Sequence, residues 1–170
     1  LTNLAGDTLA NSSKEVMAEA RLSDKQYSHG IELLKLAAVL QYTFFGFPCV
    51  YYGDEVGVEG YKDPFCRGCY PWGKENKLLL DFYRRLGQLR NNSVFADGDF
   101  RQLLAERGVY AFRRALPTTQ TEVVVAVNCG TSEYKLSLNG RYTDMLNGRS
   151  YDNECNLQPM DYVVLQKDLF

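Results

Sequence analysis

The spacing of apolar residues changes near Val94, and this change limits the folds that the chain can adopt. Before it, apolar residues recur at helical spacing; after it, short alternating runs stand between glycines, prolines and Asn-Gly pairs. The first pattern predicts helices packed on a core, and the second predicts a small antiparallel sheet or sandwich. The sequence therefore predicts two parts, residues 1–92 with helices and one strand, and residues 93–170 with strands alone.

Two long helices are predicted in the first part, after a short helical turn around residues 14–20. Ser23 is a suitable N-cap and Gln26 completes a capping box, so the first helix begins there and ends near Phe44. The second helix runs from residue 75 or 76 to Arg90, with leucines and a phenylalanine at helical spacing. The arginines in its later turns predict a solvated face rather than a phosphate site.

A glycine-rich segment, residues 46–72, lies between the two helices. Its first residues, Cys49–Tyr52, are β-branched and aromatic and follow a proline, which predicts a short buried strand. Asp54 and Glu55 come directly after this run, and the polar cluster Asp63–Arg67 follows. Because loops at the carboxyl ends of strands carry the chemistry of α/β folds, the segment is a candidate binding loop on the rim of a barrel or sheet.

Six short strands are predicted in the second part of the chain. They are Phe100–Ala105, Val109–Leu116, Glu122–Asn128, Tyr134–Leu138, Tyr142–Met145 and Tyr162–Gln166. Asn139-Gly140 and Asn147-Gly148 are the strongest hairpin signals among them. The aromatic residues of this part fall mostly within the alternating runs, which favours core positions over an exposed row that binds sugar.

Charge and hydropathy limit the partners of the chain. A net charge of −2 gives no reason to expect nucleic acid or an anionic membrane as a partner. The apolar runs are too short to span a bilayer. No basic segment with an apolar core follows the N-terminus, so no signal peptide is predicted, although the chain opens at Leu1 without a methionine.

The cysteines favour free thiols. There are 5 of them, an odd number without a framework spacing, which favours a reducing compartment and a cytoplasmic location. Cys66-x-x-Cys69 has no second pair, and the single histidine is distant in sequence, whereas a structural zinc site needs four ligands. No metal and no cofactor are therefore expected.

The glycine-rich segment carries a resemblance to a known family. GFPCVYYGDEVGVEG, with Asp63-Pro64-Phe65-Cys66-Arg67 and Trp72 behind it, is similar to the end of the catalytic barrel in family 13 of the glycoside hydrolases, the α-amylase family. The likeness is greatest to its neopullulanase, cyclomaltodextrinase and maltogenic amylase branch. It implies an α+β composite: residues 1–92 are the last portion of a truncated TIM (β/α)8 barrel, and residues 93–170 are the antiparallel β-sandwich that follows. A complete barrel needs about 250 residues, so earlier strands are expected upstream.

The resemblance implies a parent enzyme that hydrolyses α-1,4- or α-1,6-glucosidic bonds with retention. Such an enzyme needs a carboxylate nucleophile and a protonated carboxyl group that acts as acid and base. A third carboxylate follows the family pattern H-D-T-x-R. Asp7-Thr8 lacks the preceding histidine and the later arginine, so no catalytic role is assigned to Asp7. No catalytic residue is expected in this chain, which should be inactive alone.

Substrate contact is the role that the resemblance leaves to this chain. Asp63 and Arg67 match the family's aspartate and arginine that hold glucose units on the non-reducing side of the cleavage point. A carboxylate accepts hydrogen bonds from sugar hydroxyls, and an arginine donates them; a structural salt bridge is the alternative. Trp72 is a candidate stacking surface, and Glu55 is expected to have a structural or hydrogen-bonding role at the strand exit.

Two further interpretations of the whole chain stay open. It is either a non-catalytic carbohydrate-binding module, or a structural or interaction subunit related to the same fold. In the favoured interpretation the partner is an α-glucan oligosaccharide bound by the intact enzyme. Apolar faces exposed by truncation also predict a homo-oligomer.

Overall fold

The computed structural model describes residues 1–2, 4–6 and 11–169 of the 170-residue chain. Asp7-Thr8 therefore lies outside the described residues. The chain forms two compact units, Leu1–Ala37 with Cys49–Arg84, and Ala38–Pro48 with Arg85–Phe170. We call the first the helical unit and the second the sheet unit, which takes the C-terminal end of each long helix.

The helices begin and end close to the predicted residues. Helix α1 spans Lys14–Glu19 and helix α2 spans Asp24–Thr43. The predicted capping box is present: Ser23 N donates to Gln26 Oε1 at 3.1 Å, and Gln26 N lies 3.4 Å from Ser23 Oγ. The two reciprocal bonds satisfy backbone groups that the first helical turn leaves unpaired.

Helix α3 spans Lys77–Arg90 and begins where Asn76 Oδ1 accepts a hydrogen bond from Leu79 N at 3.1 Å. Its apolar face is buried, with Leu79 fully inaccessible and Phe82 nearly so. Within the helical unit, α2 meets this face where Lys35 Nζ lies 5.8 Å from the centre of the Phe82 ring. Both long helices are thus amphipathic elements of the kind that their periodicity predicts.

The predicted buried strand Cys49–Tyr52 is wrong. These residues form no strand, and no strand occurs among the described residues of the helical unit. Cys49 is exposed, and 51% of Tyr51 and 46% of Tyr52 are accessible. A strand needs a neighbour to pair its N–H and C=O groups, and the helical unit offers none.

The sheet unit contains one antiparallel sheet of six strands in the order β1-β2-β3-β6-β4-β5. Its strands are β1 (Asp99–Glu106), β2 (Val109–Leu116), β3 (Thr121–Asn128), β4 (Tyr134–Asp144), β5 (Ser150–Leu157) and β6 (Asp161–Lys167). A short helix α4, Ser93–Asp97, precedes it and is capped by Asn92, whose Oδ1 accepts from Val94 N at 3.1 Å. The expectation that residues 93–170 contain strands alone is therefore wrong for this helix. The antiparallel arrangement is confirmed, and the strands form one continuous sheet rather than two separate ones.

Two strand predictions are corrected in β4 and β5. Asn139-Gly140 is not a hairpin turn but an irregularity inside β4, where the pairing register shifts between Ser137 and Arg141. Strand β5 was not predicted, because this edge strand buries only Cys155 and Leu157 and otherwise presents polar residues. The Asn147-Gly148 turn is confirmed, since it connects β4 and β5 with Thr143 paired to Ser150.

The core of the sheet unit is formed by apolar residues of five of its six strands. One buried cluster draws its members from every strand except β1: Val109, Ala111, Val124, Ala126, Leu136, Tyr142, Cys155, Leu157, Val163 and Leu165. Strand β3 is buried along almost its whole length because it pairs with β2 on one side and β6 on the other. The core therefore belongs to one antiparallel sheet, whereas a sandwich of two sheets was predicted.

Arginine side chains attach the end of α2 to the sheet unit. Arg90 Nη1 donates to Tyr42 O at 3.2 Å and to Phe44 O at 2.7 Å, and its Nη2 donates to Gly46 O. Arg114, 1% exposed, donates from Nη1 to Thr43 O at 3.0 Å. The expectation that all the arginines late in α3 form a solvated face is wrong for Arg90, which satisfies carbonyls left unpaired at the end of a neighbouring helix.

Candidate functional site

The predicted sugar-binding pair lies on a tight turn of the helical unit. A short 3₁₀ turn, Phe65–Arg67, brings Arg67 back towards Asp63, and its Nε lies 2.8 Å from Asp63 Oδ1. The side chains are 61% and 69% exposed, respectively. An ion pair this accessible contributes little to folding, about 0–1 kcal/mol, but leaves charged donors and acceptors available to a ligand.

Two tyrosines lie beside this pair. The Tyr51 and Tyr52 rings have centroids 5.0 Å apart, and Tyr52 Oη donates to Gly68 O at 3.1 Å, directly after Arg67. Desolvation raises the pKa of Tyr51, while the charge of Arg67 lowers it and that of Asp63 raises it further. Tyr51 is therefore close enough to the ion pair to sense both charges.

The sequence interpretation did not assign these tyrosines to the site. It placed them in a strand and expected at least one in the core, whereas both are about half exposed. The expectation of a core tyrosine fails because no strand forms there. The nearby signal that could have found them is the Asp63–Arg67 motif, since polar pairs that grip sugars commonly stand beside aromatic rings that cover the C–H faces.

Tyr70 and Trp72 form a second aromatic pair, and Glu55 interacts with Tyr70. Trp72 is 80% exposed, and its ring centroid is 4.5 Å from that of Tyr70. Glu55 is half-buried and accepts from Gly53 N at 2.8 Å. Desolvation raises the pKa of Tyr70, and the charge and hydrogen bond of Glu55 raise it further. Glu55 thus connects the turn at Gly53 to the ring on which Trp72 packs.

A cleft of about 780 Å³ opens next to Arg67 in the helical unit. Its lining includes Tyr27, Glu59, Tyr61, Phe65, Arg67 and Lys74, but not Asp63, Glu55 or Trp72. The structure therefore brings Asp63 and Arg67 together and places Glu55 beside the Tyr70–Trp72 pair, while only Arg67 faces the cleft.

Adjacent carboxylates at the predicted strand exit have separate environments. Burial raises the pKa of Asp54, and the charge of Glu55 raises it further. Glu55 itself is occupied by Gly53 N and by Tyr70. The arrangement holds a loop together and positions rings; it does not present two free carboxyl groups across a substrate bond.

All 5 cysteines are free thiols, with Cys155 buried and the other four exposed. Within residues 1–2, 4–6 and 11–169, no group of three or more histidines, cysteines, aspartates or glutamates is placed to hold a metal ion. Across the same residues, no helix is both long enough and apolar enough to cross a membrane.

Comparisons with known proteins place this architecture in a class. The chain is 34% identical over 137 residues to an amylopullulanase of Thermoanaerobacterium saccharolyticum, which covers 69% of this chain and 11% of that protein. It is 39% identical over 109 residues to a cyclomaltodextrinase of Thermoanaerobacter pseudethanolicus, covering 62% and 19%. The crystal structure of an Anoxybacillus α-amylase matches with a TM-score of 0.73 and 24% identity over 83% of this chain and 34% of that chain. No model of a protein family matches the chain.

The fold and the matched region define the chain as an antiparallel sheet domain with preceding helices, of the type found in the C-terminal region of α-glucan hydrolases. The chain belongs to the α-amylase family, glycoside hydrolase family 13, as the sequence resemblance implied. It spans only 11% and 19% of the length of the two curated relatives described above.

Proposed function

We propose that the chain is the C-terminal part of a retaining α-glucan hydrolase and that it contacts substrate without cutting it. Residues 1–92 correspond in this proposal to the end of a TIM barrel, and residues 93–170 to the domain that follows. The observation that carries the proposal is the exposed Asp63–Arg67 pair, 2.8 Å apart, with Tyr51 and Tyr52 beside it.

The barrel assignment is supported by apolar groups without a cover in the helical unit. Cys49–Tyr52 has the apolar and aromatic composition of a barrel strand but is in no strand of the helical unit, as expected of a strand whose neighbours belong to another part of a sheet. Leu78 on α3 is 81% exposed. Exposed apolar surface of this kind favours association, so we also propose that the isolated chain forms homo-oligomers.

Sugar binding is the role that the chemistry of the pair supports best. Arg67 is a donor only and Asp63 an acceptor, so together they match a sugar diol, which both donates and accepts. The neighbouring rings offer faces for the C–H groups of a pyranose. Relatives named amylopullulanase and cyclomaltodextrinase support an α-glucan as the ligand, and the resemblance implies α-1,4- or α-1,6-linkages.

The chain is proposed to lack catalysis because retention needs two carboxyl groups about 5–5.5 Å apart across the bond. Asp63 is paired with Arg67, and Glu55 is held by Gly53 and Tyr70. Its five free thiols further support a reducing, cytoplasmic location for the protein.

Binding of maltotriose to the ¹⁵N-labelled chain, followed by NMR, tests the proposed function. We expect amide shifts in residues 51–55 and 63–72, and at least about tenfold weaker binding for Arg67→Ala, because a charged hydrogen bond is lost. Asp81→Ala is the matched control, since it breaks a similar exposed pair, Arg84–Asp81 at 2.9 Å, away from the loop. If Arg67→Ala and Asp81→Ala bind maltotriose equally well, the Asp63–Arg67 pair has no role in sugar binding and is only a structural salt bridge of the loop.

A further inference from the structure

A second concave site lies in the sheet unit, where the β1–β2 and β3–β4 connections meet. It is a pocket of about 330 Å³ lined by Arg107, Thr131, Ser132, Glu133 and Tyr134. This volume lies at the small end of the range of about 300–1,000 Å³ typical of small-molecule sites. None of these residues belongs to the loop that carries Asp63 and Arg67.

The two connections that form this pocket are locked together. Asn128 is fully buried; its Nδ2 donates to Ser132 O at 2.9 Å, and its Oδ1 accepts from Gly130 N at 2.9 Å. Cys129 N donates to Gly108 O at 2.9 Å. A Cβ on Gly108 would lie only 2.6 Å from Gly130 Cα, so the backbones touch. A pocket built on such loops is preformed, which lowers the ordering cost of binding a ligand.

Tyr134 provides the apolar wall of the pocket. Its ring packs partly against the buried core cluster, and its hydroxyl donates to Glu106 Oε1 at 3.1 Å. Desolvation and this hydrogen bond raise the pKa of Tyr134, so the phenol stays neutral. A ring that is fixed both by packing and at its tip presents a defined face to a flat apolar group such as the C–H face of a sugar.

Charge decides what kind of ligand fits. Arg107 is the single cation of the lining, while Glu133 lines the pocket and Glu106 holds Tyr134 at its edge. Two carboxylates against one guanidinium disfavour an anion such as phosphate. The mixture of donors, acceptors and two hydroxyl side chains, Thr131 and Ser132, suits instead a neutral ligand that is rich in hydroxyl groups.

We propose that this pocket is a second carbohydrate-binding site, which holds a short stretch of α-glucan on the sheet unit. Tyr134 stacks on one glucose ring, while Arg107 donates to its hydroxyl groups and Glu133 accepts from them. The choice of glucan among neutral sugars rests on the proposed function; the pocket itself does not depend on it.

The test is an NMR titration of the full ¹⁵N-labelled chain with maltotriose, in an Arg67→Ala background that weakens binding at the loop. We expect amide shifts in residues 106–108 and 128–134. Arg107→Gly removes the guanidinium while glycine accepts the local backbone, whose φ is 50°. It should weaken binding about tenfold, since a charged hydrogen bond is lost.

Tyr134→Ala should weaken binding at least as much, and Tyr151→Ala is its control. Both tyrosines are half-buried against the same core cluster, but Tyr151 does not line the pocket. Equal losses in the two variants would overturn the stacking role, and unchanged binding in Arg107→Gly would overturn the site. If the amide shifts of the unmodified chain are confined to residues 51–72, the second site is refuted and the proposed function is retained. If maltotriose causes no amide shifts in the unmodified chain, both proposals are refuted. Mannotriose binding as tightly as maltotriose would refute the glucan assignment.

Discussion

Arg114 is buried and makes no salt bridge with any carboxylate among residues 1–2, 4–6 and 11–169, and its replacement should cost the sheet unit much of its stability. Its guanidinium donates to four backbone carbonyls at 2.9–3.0 Å, those of Thr43, Phe95, Gly98 and Asp99. Burial lowers the pKa of Arg114, and the nearby charge of Arg90 lowers it further, opposed by Asp99. The four hydrogen bonds, rather than an ion pair, keep this charge stable in the core.

Removing the guanidinium leaves these carbonyls without their charged donor. Each hydrogen bond to a charged group contributes about 1.5–3 kcal/mol, but a methionine of similar length recovers part of the packing. We expect Arg114→Met to lower the free energy of unfolding by about 3–5 kcal/mol, the range for a broken buried charged contact. That is a large share of the about 5–15 kcal/mol that stabilises a typical domain.

Urea unfolding monitored by circular dichroism measures this loss, with the slope m checked for constancy. The control is Arg113→Met, on the opposite face of the same strand. Arg113 is 28% exposed and reaches Asp99 at 2.8 Å and Glu122 at 3.6 Å, so its pairs should be worth about 1 kcal/mol or less. Equal unfolding midpoints for the two variants would refute the view that Arg114 holds the end of α2 to the sheet.

Two other predictions concern activity and thiols. The purified chain should release no sugar from cyclodextrin, pullulan or starch, and turnover that survives Asp54→Asn and Glu55→Gln would show that carboxylates outside this turn do the chemistry. Ellman's reagent at pH 8 should titrate the four exposed thiols of the folded chain, and Cys155 only after unfolding, because burial raises the pKa of Cys155 from 9.0 to about 11. Since the folded pKa is the higher one, Cys155 contributes stability that is complete below pH 9 and lost as pH rises towards 11. The urea midpoint of Cys155→Ala should therefore fall less steeply than that of the unmodified chain across this range.

The sequence predicted the helices well because their signals are local. The capping box at Ser23, the cap at Asn76 and the apolar spacing of α3 each involve residues within one or two turns of one another. Most of the sheet was equally readable, since β2 and β3 alternate or run apolar as buried strands do. Such elements need no knowledge of distant partners.

The errors occurred where distant partners decide the structure. Cys49–Tyr52 has the composition of a buried strand but no neighbour to pair with in the helical unit. Strand β5 has the composition of a loop but pairs with β4 at the edge of the sheet, where polar residues meet solvent. Asn139-Gly140 carries a hairpin signal, yet both flanks pair with the same partner, so it forms an irregularity in the strand.

The candidate site was predictable only in part. A motif located Asp63 and Arg67, and their 2.8 Å contact follows from the turn between them. The exposure of Tyr51 beside the pair depends on the loss of strand pairing, which no local pattern indicates. The polar pocket around Tyr134 is formed by two connections that lie about 25 residues apart in sequence. No sequence motif marks it, so the sequence alone did not predict it.

The coding sequence that precedes the codon for Leu1 decides whether this chain belongs to an α-glucan hydrolase whose catalytic residues lie elsewhere. Reading the transcript from its start codon should reveal the family pattern H-D-T-x-R and two earlier carboxylate motifs, ahead of the residues described here. A transcript that carries an upstream sequence without these three motifs would contradict the claim and leave the chain as a non-catalytic carbohydrate-binding or structural relative of the α-amylase family.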